Sequence, residues 1–395
     1  MNRIIAIGCL LITGQAVAQN GVIVVGAGAG DEPEIRLYEP MTGSLVGSLM
    51  AFDTGFTGGV RVAVGDVNGD GTADIIAGAG PSGLSLLRVF DGVTHSMLLD
   101  VFPYGSRFSG GVNVAAGDLN GDGFDEVITG PGESSPPTVV VYDGATLTEI
   151  GSFDGDNATF ERGLHVASAD VDGDGDDDIV TGRVFGPNGS GFGPNSLMRV
   201  FNGPIGGQLG NGTAFNDFVQ SGVFVAAGDL DNDGKAEIIA GPDGPVGSLT
   251  QTFNDTSVIG SLMFFSFAEP NFGGGVRVAS GDVNGDGMDD IVVGAGPWTN
   301  PVIGPLVNVY SGNSSTLISS FFAGDPMNSN GIYIAGPWEP GCIADVNNDG
   351  VLSPADFSAW VAAFNAMAPG CDQNGDGACT PADFSAWVAN FNAGC

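Results

Sequence analysis

The sequence predicts an all-β fold, a six-bladed β-propeller, followed by a small α-helical module built on two acidic loops. Three observations predict it. A unit of ~50 residues recurs five times. Each unit carries the apolar alternation of four short strands. The two ends of the repeated region are complementary fragments of one further unit.

Five segments define the repeat: VRVAVGDVNGDGTADIIAGAG from Val60, VNVAAGDLNGDGFDEVITGPG from Val112, LHVASADVDGDGDDDIVTGRV from Leu164, VFVAAGDLDNDGKAEIIAGPD from Val223 and VRVASGDVNGDGMDDIVVGAG from Val276. Their first loop aspartates, Asp66, Asp118, Asp170, Asp229 and Asp282, stand 52, 52, 59 and 53 residues apart. In each unit an alternating strand (Val60, Val62, Val64) enters the Asp-rich loop, and an apolar strand (Ile75, Ile76) leaves it. Two more strands follow around a tight turn such as Phe90-Asp91-Gly92 or Tyr142-Asp143-Gly144.

Residues 22–59 match the later part of a unit and lack its first strand, whereas residues 331–336 match only that first strand. If the C-terminal piece pairs beside the N-terminal strands, the ring closes without an open edge. Five whole units and one composite give six blades, in preference to an open solenoid, which has no use for complementary half-units. The propeller is assigned to residues 19–338, a linker to 339–341 and the helical module to 342–395.

Each loop reads D-x-[DN]-x-D-G-x-x-[DE], the spacing at which alternate residues turn oxygens inward on a cation. The donors would be Asp66, Asn68, Asp70, Asp74 and the Thr72 carbonyl in the first loop, and Asp118, Asn120, Asp122, Glu126 and the Phe124 carbonyl in the second. The third has Asp170, Asp172, Asp174, Asp178 and the Asp176 carbonyl, the fourth Asp229, Asp231, Asp233, Glu237 and the Lys235 carbonyl. The fifth has Asp282, Asn284, Asp286, Asp290 and the Met288 carbonyl. Clustered carboxylates repel unless a cation sits among them, and hard oxygen donors without His or Cys select Ca²⁺. Asx turns closing hairpins without an ion are the rival reading. Five loops that all keep an acid at the ninth position favour the ion.

Strand–DxNxDGxxD–strand units followed by Gly-Ala-Gly-Pro (Gly78 to Pro81, Gly294 to Pro297) and preceded by Phe-x-Gly-Gly (Phe56 to Gly59, Phe272 to Gly275) resemble FG-GAP repeats over roughly residues 20–338. The resemblance implies calcium in the hairpin loops of one face and, as in the integrin α chains, ligand binding on the opposite face. Integrin propellers have seven blades, against the six counted here.

After Pro340 the pattern changes to loop plus helix, twice. Asp345, Asn347, Asp349, the Val351 carbonyl, Ser353 and Asp356 precede FSAWVAAFN; Asp372, Asn374, Asp376, the Ala378 carbonyl, Thr380 and Asp383 precede FSAWVANFN. Both match a 12-residue EF-hand-like calcium loop with Asp in place of the final Glu. Phe357, Trp360, Val361 and Phe364, and likewise Phe384, Trp387, Val388 and Phe391, fall on one helical face and read as the core of a two-helix unit. The duplicated loop–helix is similar to a type I dockerin, in which Asp at the twelfth position is usual. That resemblance implies a cohesin-like or other cell-surface partner, although the late loop positions here are Pro354-Ala355 and Pro381-Ala382. In all, about seven Ca²⁺ sites are expected, five in the propeller and two in the tail.

Residues 1–18 read as a secretory signal: Arg3, an apolar stretch from Ile4 to Ile12, and Ala16-Val17-Ala18 before the cut. Cys9 as a lipoprotein acceptor is disfavoured, because only eight residues precede it. The mature chain then holds Cys342, Cys371, Cys379 and Cys395, an even cluster that argues for two disulfides. Of three connectivities, Cys342–Cys395 with Cys371–Cys379 is preferred.

The chain carries 46 acidic and 10 basic side chains, a formal charge of −36, which argues against nucleic-acid and membrane-surface roles. No apolar stretch reaches transmembrane length. His95 and His165 are the only histidines, neither in a triad-like setting, and no G-x-S-x-G, H-E-x-x-H or P-loop occurs. Arg61, Arg88, Arg162, Arg199, Arg277 and the five Tyr read as scattered, without a basic or phenolic cluster. The preferred reading is a secreted, non-catalytic binding or adhesion module for a glycan or protein ligand. The alternative is a lyase or glycoside hydrolase of an extracellular polysaccharide-degrading complex. The extended segment from Phe185 to Leu197, and Trp298, are candidate contact surfaces.

Overall fold

In a computed structural model of the chain, the described residues are 21–338 apart from 158–161, 186–195, 205, 216–220, 245–246, 255, 257–258, 270–271 and 300–302, and, in the tail, 344, 346, 353–366, 371, 373 and 379–393. The expected signal (1–18), the linker (339–341), Cys342, Cys395 and the insertion at 186–195 lie outside them.

The alternating Val/Ile segments form strands, and the Asp-Gly and Gly-rich segments between them form turns. In chain order these are β1 (Val22–Ala27), β2 (Glu34–Tyr38) and β3 (Leu45–Met50), then β4 (Val60–Gly65), β5 (Asp74–Ala79), β6 (Leu87–Phe90) and β7 (Met97–Val101). The next two blades are β8 (Val112–Gly117), β9 (Glu126–Pro131), β10 (Thr138–Tyr142) and β11 (Glu149–Asp154), then β12 (Leu164–Ala169), β13 (Asp178–Arg183), β14 (Leu197–Asn202) and β15 (Gln208–Thr213). There follow β16 (Gly222–Gly228), β17 (Glu237–Asp243), β18 (Leu249–Asn254) and β19 (Ile259–Phe265), then β20 (Val276–Gly281), β21 (Asp290–Ala295), β22 (Leu306–Tyr310) and β23 (Leu317–Phe322), and finally β24 (Ile332–Trp338).

These strands make six antiparallel four-stranded sheets, five of them consecutive in the chain. The sixth has the order β24-β1-β2-β3, with Val24 opposite Ala335 and Gly26 opposite Tyr333. The expected closure by the two ends of the repeat is therefore present. The first strands of successive blades touch in an unbroken cycle, β4 to β8, β12, β16, β20, β24 and back to β4. The structure is a six-bladed propeller.

The core lies between blades rather than within one. Val24 and Ile35 of the composite blade pack with Val60, Val62, Ile75 and Ala77 of the next. Close approach requires glycine on the second strand. A Cβ at Gly78 would strike the Val112 carbonyl, and one at Gly130 would approach that of Leu164, each on the following blade. The fourth strands, such as β3 and β11, are largely exposed on the rim.

The tail contains two helices, α1 (Pro354–Ala366) and α2 (Pro381–Ala393). Ser353 and Thr380 are their N-caps, each hydroxyl taking the amide two residues on, with Pro at the first helical position. Trp360 and Trp387 are buried, their indole N–H groups bonded to the Cys371 and Ala344 carbonyls. Phe364 and Phe391 pack partly against them. Phe357, Val361, Phe384 and Val388, expected in the core, are exposed instead, because two short helices cannot cover both sides of their apolar stripes. Cys371 and Cys379 form a disulfide, as one of the expected pairings has it.

Candidate metal centre

Each predicted loop joins the first and second strands of a blade, so all five lie on one face of the ring. Their hydrogen bonding repeats. The first aspartate accepts the amide of the loop glycine at position six, at 2.8 Å for Asp66 and Gly71 and 3.0 Å for Asp170 and Gly175. That glycine is left-handed in every loop (φ between 82° and 99°), as the sharp reversal demands. The fifth-position acid takes the amide of the seventh residue: Thr72 to Asp70, Phe124 to Asp122, Asp176 to Asp174, Lys235 to Asp233 and Met288 to Asp286. The ninth-position acid accepts the amide of the second residue at 2.9–3.2 Å.

The loops differ at position three. Asp170, Asp172 and Asp178 converge in the third loop, and Asp229, Asp231 and Glu237 in the fourth, with one oxygen of each within 4.8 Å of the others. In the second loop Asp122 and Glu126 are joined by Asp143, from the turn between β10 and β11, at the same spacing. Asp143 was not among the expected ligands, because it is remote in sequence and belongs to a separate hairpin. In the first, second and fifth loops Asn68, Asn120 and Asn284 donate their side-chain amides to Asp74, Glu126 and Asp290. Among the described residues the first and fifth loops gather no group of three acids at that spacing.

Burial pushes the ninth-position acids upward, and neighbouring loop carboxylates push in the same direction. Asp74, Glu126, Asp178 and Glu237 reach about 7, and Asp290 about 6. Asp178 Oδ1 is buried without a hydrogen-bond partner, beside Asp170 and Asp172. A buried carboxylate oxygen left open among like charges is what a divalent cation satisfies, so the donor set fits a metal.

Successive loops are also tied together. The Asp125 amide donates to the Asp66 carbonyl at 2.9 Å, while the Asp125 carboxylate takes the Asp66 amide at 2.8 Å. Asp289 and Asp229 repeat the exchange, and the Asp177 and Ala236 amides reach the Asp118 and Asp170 carbonyls. Lys235, the only lysine, spans to the Asp172 carbonyl. Burial raises Asp125 to about 6 and Asp177 to about 7.

In the tail, Asp356 and Asp383 are fully buried and accept the Ser353 and Thr380 amides, completing a reciprocal cap. The other expected tail ligands, Asp345, Asn347, Asp349, Val351, Asp372, Asn374, Asp376 and Ala378, lie outside the described residues. The expected scatter of basic and phenolic groups does not hold. Arg61 and Arg277 both lie against the Tyr333 ring, and His165 pairs with Asp243 at 3.0 Å, because repeat-equivalent positions meet on the ring axis.

Residues 58–92 and 274–316 match the FG-GAP repeat, and residues 118–181 the FG-GAP-like repeat. These three segments are thus similar to FG-GAP repeats. The chain is 28% identical over 208 residues to integrin alpha-V of Gallus gallus, covering 47% of this chain and 20% of the relative. The chain therefore spans about a fifth of the length of that curated relative. Among solved structures, a protein of unknown function from Bacteroides caccae shares the fold, with a TM-score of 0.51, 11% identity, and 80% of this chain and 98% of that chain covered. A rhamnogalacturonan lyase of Bacillus licheniformis is matched more distantly, at a TM-score of 0.36 and 14% identity over 77% of this chain and 69% of the lyase.

Proposed function

We propose that this chain is a secreted, calcium-stabilised FG-GAP propeller that acts as a non-catalytic binding or adhesion module. Its dockerin-like tail tethers it to a cohesin-like scaffold or cell-surface protein. The observation that carries the calcium assignment is the unpartnered Asp178 oxygen buried beside Asp170 and Asp172. Oxygen-only donors in a flexible loop suit Ca²⁺ better than Mg²⁺, which keeps its waters and demands an octahedron. Seven such ions would bring the formal charge of −36 to about −22. Among the described residues no helix is long and apolar enough to cross a membrane, which agrees with release or peripheral tethering. The exposed apolar strip of Phe357, Val361, Phe384 and Val388 supports a docking role for the tail.

One observation favours the alternative of a polysaccharide-active enzyme: the His165–Asp243 pair shares the ring axis with Tyr333 and two arginines. A glycan array, run beside assays for reducing ends and unsaturated products, separates the two. Binding without turnover is expected; product formation would overturn the non-catalytic reading.

A further inference from the structure

Each first strand of a blade places one side chain opposite a second-strand glycine: Arg61 opposite Gly78, Asn113 opposite Gly130, His165 opposite Gly182, Phe224 opposite Gly241, Arg277 opposite Gly294 and Tyr333 opposite Gly26. The six positions share one register and so form one layer around the axis. Arg61, Tyr333, Arg277, Phe224 and His165 touch in succession, and Asn113 bonds the backbone beside His165. The Arg61 guanidinium lies 4.5 Å from the Tyr333 ring centre, and that of Arg277 lies 5.1 Å from Tyr333 and 4.8 Å from Phe224. The His165 ring is 4.1 Å from Phe224, and Asn113 donates to the Leu164 carbonyl at 2.8 Å. The layer sits near the start of the first strands, about 16 Å along the chain from the metal loops that follow their ends.

The charges in this layer are unbalanced. Arg61 and Arg277 each give one guanidinium N–H to a backbone carbonyl, of Gly58 and Gly274, while both Nε atoms are buried without a partner. Neither arginine is within ion-pair distance of a carboxylate among the described residues. The nearby acid, Asp243, is engaged by His165 and by the Phe185 amide at 2.8 Å. Burial alone would raise the Tyr333 phenol, but the charges of Arg61 and Arg277 outweigh it and hold the group below its ordinary range. Arg61 and Tyr333 keep part of their surface exposed, while Asn113, His165, Phe224 and Arg277 are buried. In a chain of net charge −36, two of ten cations thus lie in an axial layer whose nearby acid, Asp243, is in ion-pair contact with neither of them.

We propose that this layer binds a carboxylate, received by Arg61 and Arg277 with Tyr333 between them, at the end of the ring axis remote from the metal loops. Asp243 offsets one guanidinium, leaving an excess that a monoanion matches, and a planar carboxylate fits the guanidinium fork. The proposal rests on reading the propeller as a binding module, and assigns that module an acidic ligand.

The test is calorimetric titration of the full-length, calcium-saturated protein with D-galacturonate, acetate, D-galactose and inorganic phosphate. Saturable binding of galacturonate without galactose binding is expected, weakened at least tenfold in Arg61→Gln and in Arg277→Gln. Acetate binding as well places the affinity in the carboxylate alone, whereas galacturonate without acetate adds a contribution from the sugar; both support the site. If a glutamine variant fails to fold, Arg61→Lys keeps the charge, removes the fork and is still expected to weaken binding. No heat from either carboxylate at millimolar concentration, affinity unchanged in the variants, or preference for phosphate would each overturn the proposal. A neutral glycan captured on the array despite silent carboxylates would sink this inference and leave the binding-module reading standing.

Discussion

Asp74, Glu126, Asp178, Glu237 and Asp290 lie where the blade interior meets the loop, each accepting a backbone amide from position two. Burial comes first among the causes that raise them to between about 6 and about 7. The metal-free fold therefore binds protons more tightly than the unfolded chain does. The stability these groups contribute is full below an ordinary carboxylate pKa of about 4 and is lost as pH rises through 7. Calcium reverses the slope, because it needs the deprotonated form. In excess chelator the melting temperature is expected to be higher at pH 5 than at pH 8, and the increment from added calcium to be larger at pH 8. Scanning calorimetry at both values checks this, and an equal increment at both would contradict the metal assignment.

Blades are held by their faces, so the decisive substitutions at the scale of an element are those that prop two blades apart. Gly78→Ala would press a methyl group onto the Val112 carbonyl of β8 and is expected to cost about 1–3 kcal/mol in denaturant unfolding. An alanine at exposed Gly55, which meets nothing, should cost far less. Strands and loops were legible in the sequence because their signals are local: Val-x-Val alternation, and acids at fixed offsets within nine residues. The Asp143 contribution and the Asp125–Asp66 exchange were not, since each joins segments that only the folded blade brings together. Helix periodicity correctly placed α1 and α2, but it could not say that Phe357 and Phe384 would stay exposed when only two helices share the core. The axial layer was hidden for a different reason. Arg61, Asn113, His165, Phe224, Arg277 and Tyr333 share a register but, apart from the two arginines, no chemistry, so an alignment of units shows a variable column.

For the whole molecule, closure depends on seven residues of β24 completing the sheet begun by β1. A chain ending at residue 338 is expected to unfold in one cooperative transition. A chain ending at 330 exposes the edge of β1 and is expected to lose that cooperativity and to aggregate. Calorimetry and light scattering of the two truncations measure the difference; equal behaviour would show that face packing alone holds the ring. Because the chain enters the ring one strand out of phase with its own repeat, a duplicated unit of about 52 residues would begin and end in step with its neighbours. Such a propeller can grow or shrink by whole blades without reinventing its clasp, and the number of side chains facing the axis would change with it.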